Sequence, residues 1–190
     1  RSKALEMDED PKRAWLGKAE AEDLQTIAQR STVPTIEEVL EKRKVNGIET
    51  HYCRLEIKDV VDAYWEKNSI TGEIQRKQEL KDPLEYSYET LGLVFKAPKP
   101  EVERLPGGDR EEKLLGTYHA VEHALLETSN MLTGSGSNEV GGVAMGSTGF
   151  IFAYDGAPGG SGVTRLLYSR MEDAVERAYD ILNECKCEST

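Results

Sequence analysis

Residues Phe150-Ile151-Phe152-Ala153-Tyr154 run apolar into Asp155-Gly156-Ala157-Pro158-Gly159-Gly160-Ser161-Gly162, and an amphipathic pattern leaves from Val163. Glycines this dense, with a proline among them, continue neither a helix nor a strand, so the chain must turn sharply there between a buried strand and a helix. A strand-to-helix turn aims first-turn N–H groups at the loop. Gly156, Gly159, Gly160 and Gly162, with Arg165 one turn into the helix, are therefore candidates for a phosphate or nucleic-acid contact. The competing reading is a hard structural turn capped by the Asp155 carboxylate. No Gly-x-x-x-x-Gly-Lys-Ser/Thr pattern and no Gly-x-Gly-x-x-Gly pattern occurs, which removes the usual nucleotide-hydrolysing loop and the dinucleotide fingerprint.

The hydrophobic period changes midway along the chain. In the first hundred residues Cys53, Leu55 and Ile57 alternate with Tyr52, Arg54 and Glu56; Asn68-Ser69-Ile70-Thr71-Gly72 marks a turn, and a second run covers Glu73 to Leu80. A third strand is expected from Leu84 to Phe95, while residues 21–45 admit a strand or a short helix at Ile36–Lys42. Pro98, Pro100, Pro106 and Gly107-Gly108 stop both periods, giving a β-rich subdomain over 1–100 and an α/β subdomain over 101–190. Asp109 and Glu112 then form a capping-box pattern, and Leu114, Tyr118, Val121, Leu125 and Leu132 line one helix face until Gly134 and Gly136. A last helix is expected from about Val163 to Cys185. The fold class is α+β: antiparallel hairpins packed with two long C-terminal helices and a strand–glycine-loop–helix unit.

Two further patterns concern metals. His119-Ala120-Val121-Glu122-His123 places two imidazoles at i and i+4, the spacing of the inverted zinc-peptidase signature, with Glu122 as its general base. The alternative is a hydrogen-bonded structural cluster of His119, Glu122, His123 and Asp155. Cys185 and Cys187, one residue apart, supply two of the four ligands a structural zinc needs, and Cys53 reads as a core thiol.

The ordered series from Gly116 to Leu126, then Glu139-Val140-Gly141-Gly142, then Tyr154-Asp155-Gly156-x-Pro158-Gly159-Gly160-x-Gly162, then Cys185-Lys186-Cys187 resembles one family. It is similar to the C-terminal zinc-binding domain of DEAD/DEAH-box, superfamily-two DNA helicases of the bacterial mitomycin-repair type. Arg13-Ala14-Trp15-Leu16 and Tyr88-Glu89-Thr90-Leu91-Gly92 fit the same family more loosely. The family continues its C-x-C with Gly-Cys-Pro-x-Cys where this sequence reaches Thr190, and its acidic residue before Val-Gly-Gly falls here around Asn138 and Glu139. The resemblance implies an accessory domain of a cytoplasmic, ATP-dependent helicase acting in DNA repair. Its partners would be motor domains of the same parent chain and, through them, single-stranded DNA. Cys185 and Cys187 would be half of a zinc site, ATP would sit only in the motor, and these 190 residues would have no enzymatic activity of their own. A zinc peptidase and a pure scaffold are the alternatives.

The formal charge of −11 and pI near 4.9 disfavour a free-standing, non-specific nucleic-acid binder, which needs Lys and Arg to displace counterions. Trp15, Trp65, Tyr86 and Tyr88 are candidates for stacking on bases, or for core packing; Lys42-Arg43-Lys44 is the main basic tract. No leader and no apolar run near 20 residues is visible, so a cytosolic protein without membrane contact is expected.

Overall fold

The structure is a computed structural model that describes residues 2–9, 12–18, 24–105, 108–134 and 139–184, the first two segments as backbone. Strands β1 (Ser2–Glu9) and β2 (Lys12–Lys18) form an antiparallel pair with a bulge between Ala4 and Glu6. Strands β3 (Leu24–Val45), β4 (Ile48–Asn68) and β5 (Ile74–Lys96) then run as a meander. Asn46 and Gly47, at φ 48° and 84°, supply the two positive-φ residues that a two-residue hairpin matched to strand twist requires. The turn commits residues 24–45 to strand and corrects the short-helix alternative at Ile36–Lys42. β3 is an edge strand, and pairing with β4 along its one neighboured flank outweighs the local helix preference.

β5 is one continuous strand where two separate runs were expected. It passes through Pro83, which lies outside the Gly92–Lys96 stretch that pairs with β7 (Phe150–Asp155). Proline is tolerated in a strand where its missing N–H would face no ladder partner.

The sheet order is β3-β4-β5-β7-β6, with β6 at Val140–Ala144. β7 is antiparallel to both neighbours, from Gly92↔Tyr154 to Lys96↔Phe150 on one side and from Val140↔Asp155 to Ala144↔Ile151 on the other. Helix α1 (Arg110–Thr133) connects β5 to β6. Asp109 Oδ1 accepts from the N–H groups of Glu111 and Glu112 at 2.8 and 3.0 Å, and Glu112 Oε2 accepts from Asp109 N at 3.2 Å, completing the capping box. Gly134, at φ 67°, closes the other end on the carbonyl of Asn130.

The single last helix expected from Val163 is two: α2 (Val163–Ser169) and α3 (Met171–Glu184). The break follows from Ser169, whose hydroxyl donates back to the Leu166 carbonyl at 2.8 Å, while the Arg170 N–H is shared between Leu166 and Leu167.

Chain compactness divides the molecule into two units. One comprises Arg1–Ser31 and Val60–Leu84, the other Thr32–Asp59 and Glu85–Thr190. In the first, Asn68 Oδ1 accepts from the N–H groups of Ile70 and Thr71 in the β4–β5 turn, and Arg76 pairs with Glu66 across the hairpin. In the second, strand alternation sorts side chains onto two faces. Leu93, Phe95, Ile151 and Ala153 pack with Leu114, Tyr118, Leu125, Leu167 and Met171 of the helices; Val94, Phe152 and Tyr154 join Cys53, Leu55 and Ile57 in a separate cluster. Among the described residues no helix is long and apolar enough to cross a membrane.

At Gly92 β5 and β7 leave no room for a side chain: a Cβ there would stand 2.6 Å from the Ala153 carbonyl oxygen and 2.7 Å from Leu55 Cδ1. The carbonyl is backbone and cannot swing away. Gly92→Ala is expected to cost about 1–3 kcal/mol, the range for forcing atoms into a filled core. A urea midpoint equal to that of the unsubstituted chain would contradict this packing.

Candidate functional site

Asp155 ends β7 with its side chain fully buried. Its Oδ2 accepts from the N–H groups of Ser161 and Gly162, each at 2.9 Å, and its Oδ1 accepts from Thr164 N at 2.8 Å. Thr90 Oγ1, on β5, lies 2.8 Å from the Asp155 carbonyl and 3.0 Å from that of Ala157. Gly159 N donates to Glu89 O, Gly156 N to Glu139 O and Gly160 N to Ala157 O. Gly159, Gly160 and Gly162 hold φ of 80°, 88° and 86°, a region costly for residues with a Cβ.

A phosphate cradle needs N–H groups aimed outward at a ligand. In this loop the N–H groups of Gly156, Gly159, Gly160, Ser161, Gly162 and Thr164 all bond within the chain. The Asp155 carboxylate occupies the position a bound anion would take, and α2 is only seven residues long.

Arg165 is engaged by an acid of β3 and by two aromatic rings. Its Nη1 donates to Glu41 Oε1 at 2.6 Å, and its guanidinium lies 5.1 and 5.8 Å from the ring centres of Tyr52 and Tyr168. The hydrogen bond to Glu41 holds its pKa above the ordinary arginine value. Arg43 approaches the same Tyr168 ring at 5.3 Å and pairs with Glu172. The two tyrosine rings are 5.4 Å apart and buried, and burial raises both phenol pKa values. This arginine–tyrosine cluster and the Thr90 anchor escaped sequence reasoning, because their partners lie 65 to 129 positions away along the chain. Tyr86 and Tyr88 stack on one strand face at 5.5 Å, with Tyr86 exposed.

The structure brings His119, Glu122 and His123 together on α1. Their ligand atoms lie within 4.8 Å of one another, with Glu122 buried and both histidines exposed. A general base must reach a metal-bound water. Glu122 Oε2 instead lies 3.1 Å from His119 Nδ1, and its other oxygen faces Gly142 of β6. Asp155 does not join this group.

Cys185 and Cys187 lie outside the described residues, directly after Glu184, the last residue of α3. Cys53 is fully buried in the Leu55–Ile57 cluster, and burial pushes its thiol up to about 11. Its surroundings are apolar side chains, which is the setting of a core thiol.

A family model described as the MrfA Zn-binding domain matches residues 121–190. The uncharacterised protein MJ1572.1 of Methanocaldococcus jannaschii is 30% identical over 77 residues, covering 36% of this chain and 69% of that protein. The whole chain superimposes on part of a crystal structure of the DUF1998 helicase MrfA bound to DNA, with a TM-score of 0.69, 18% identity and 25% of that chain covered. The helicase without DNA gives a TM-score of 0.59 at 19% identity, over 98% of this chain and 25% of the other. The chain thus spans about a quarter of the solved helicase chains, whose likeness establishes a shared fold.

Two outcomes follow from the loop and the thiol. Asp155→Ala removes the acceptor of three N–H groups, of which that of Thr164 is buried, and should cost at least about 1–3 kcal/mol, the range for one unsatisfied buried group; Gly160→Val should destabilise too, because its Cβ would sit 3.1 Å from Asp155 Oδ2 at φ 88°. Thermal melts check both, and unchanged melting for either would refute the junction. Cys53, with roughly one thiol in a thousand ionised at pH 8, should resist alkylation until the chain unfolds; modification of native protein at the rate of a free thiol would contradict its burial.

Proposed function

The chain belongs to the family of MrfA-type zinc-binding helicase accessory domains, and from that premise we propose that it braces the motor of an ATP-dependent DNA helicase and helps guide single-stranded DNA. The match of the family model to residues 121–190 carries this reading. It covers the second half of α1, the β6–β7 hairpin, the glycine loop and both last helices. The Asp155-locked loop supports a rigid bracing role, since its N–H groups are spent on holding the domain together. The net charge of −11 supports a domain that docks on a basic motor surface and meets DNA alongside it.

Zinc fits the residues present as a structural ion. Cys185 and Cys187 offer two thiolates, half of a four-ligand tetrahedral set, immediately beyond α3. Bound there, the ion would fix the end of α3 to the segment that supplies the other ligands. Such a site contributes folding free energy and no chemistry.

Residues 1–190 should hydrolyse no ATP with or without DNA, because phosphoryl transfer needs phosphate-cradling and metal-positioning groups that lie outside this domain. DNA-stimulated turnover by the purified chain would overturn the accessory-domain reading. In the helicase chain carrying this domain, Cys185→Ser together with Cys187→Ser should release one zinc, measured by elemental analysis, and lower the melting temperature; retention of that zinc would overturn the thiolate assignment.

A further inference from the structure

His119 and His123 stand one turn apart on α1, each with about two-thirds of its side chain exposed. Their rings meet nearly perpendicular, at 87°, and their Nε2 atoms are 3.1 Å apart. Two imidazole nitrogens bound to one tetrahedral zinc, at roughly 2.0–2.1 Å each, lie about 3.3 Å from one another. The helix repeat has therefore brought both nitrogens to the separation of neighbouring ligands. The other nitrogen of His119, Nδ1, faces Glu122 Oε2 at 3.1 Å. An acceptor there holds the ring proton on Nδ1 and leaves the lone pair on Nε2, the atom turned towards His123.

Glu122 is itself fixed. It is 5% exposed and lies against Gly142, where a Cβ would come within 2.3 Å of Oε1. The carboxylate keeps its place because β6 is bare at that residue. Beside His119 a hollow of about 250 Å³, lined by Leu115, Gly116 and Ala144, leaves room for solvent or a ligand atom.

We propose that His119 and His123 form a second, cysteine-independent site for a borderline divalent cation such as zinc, cobalt or nickel, with Glu122 as the positioning residue. Imidazole suits these ions, and two ligands leave the remaining positions to water. The site is exchangeable, unlike a closed structural one, and its ligand set includes neither Cys185 nor Cys187.

The test is a calorimetric titration of the 190-residue chain carrying Cys185→Ser and Cys187→Ser with cobalt(II), followed by absorption. One equivalent should bind without the sulfur-to-cobalt charge-transfer band that thiolate ligation gives. His119→Ala or His123→Ala should weaken binding at least about tenfold, and Glu122→Gln about 10–100-fold, the usual effect of removing a carboxylate behind a ligating histidine, with metal-free melting unchanged. Should the serine background not fold, substoichiometric cobalt(II) added to the unsubstituted chain should broaden the ring resonances of His119 and His123 and spare those of His51. Absence of cobalt binding in the folded serine background, unchanged affinity on combining His119→Ala with His123→Ala, or equal broadening at all three histidines would each overturn the proposal.

Discussion

The Asp155 carboxylate holds β7, the glycine loop and the first turn of α2 at one point. Burying a carboxylate completely is costly unless its oxygens are fully hydrogen-bonded, and here three backbone N–H groups supply the bonds. Backbone donors converge on one carboxylate only if the chain curls around it. The positive φ values at Gly159, Gly160 and Gly162 provide that curl. The glycine density of the loop thus serves an internal anion, and the apparent anion-binding signature in the sequence is explained by an anion the chain carries itself.

Features written in contiguous residues were legible in the sequence. The strand–loop–helix junction and the Asp109–Glu112 capping box each rest on contacts within a few positions, so local chemistry determines them. The strand character of residues 24–45 was ambiguous, because it is decided by pairing with β4. The α2–α3 break hinges on one serine hydroxyl inside an otherwise continuous helical pattern. Arg165 shows the limit most clearly: its nearness in sequence suggested the loop, whereas its charge is met by Glu41, 124 positions away. Of the site residues, Asp155 as a turn cap and the histidine pair could be read from spacing, while the Thr90 anchor and the Tyr52–Tyr168 pair could not.

The arginine–tyrosine cluster also bears on charge. Residues 101–190 contain 7 basic and 15 acidic side chains. Arg165 and Arg43 are engaged by Glu41, Glu172 and two aromatic faces, so they tie β3 to α2 and α3 and offer little to an external phosphate. Lys42 and Lys44, which flank Arg43, remain exposed. Strand alternation turned the middle residue of this basic tract inward and left the two lysines outward.

The adjacent glycines of β6 join the two faces of the sheet to these features. Successive strand residues point to opposite faces. Gly141 lies under the Tyr154 ring, where a Cβ would come within 2.5 Å of Cε2, and Gly142 lies under the Glu122 carboxylate at 2.3 Å. A side chain at the first would displace Tyr154 from the Cys53–Leu55–Ile57 cluster, and one at the second would displace the acid that orients His119. Two consecutive residues without side chains therefore satisfy two unrelated packing demands, one from each layer. That is a physical reason for Val-Gly-Gly to stand in this strand opposite the His-x-x-Glu-His helix: the strand must be bare on both faces where an aromatic ring closes one side and a buried carboxylate closes the other.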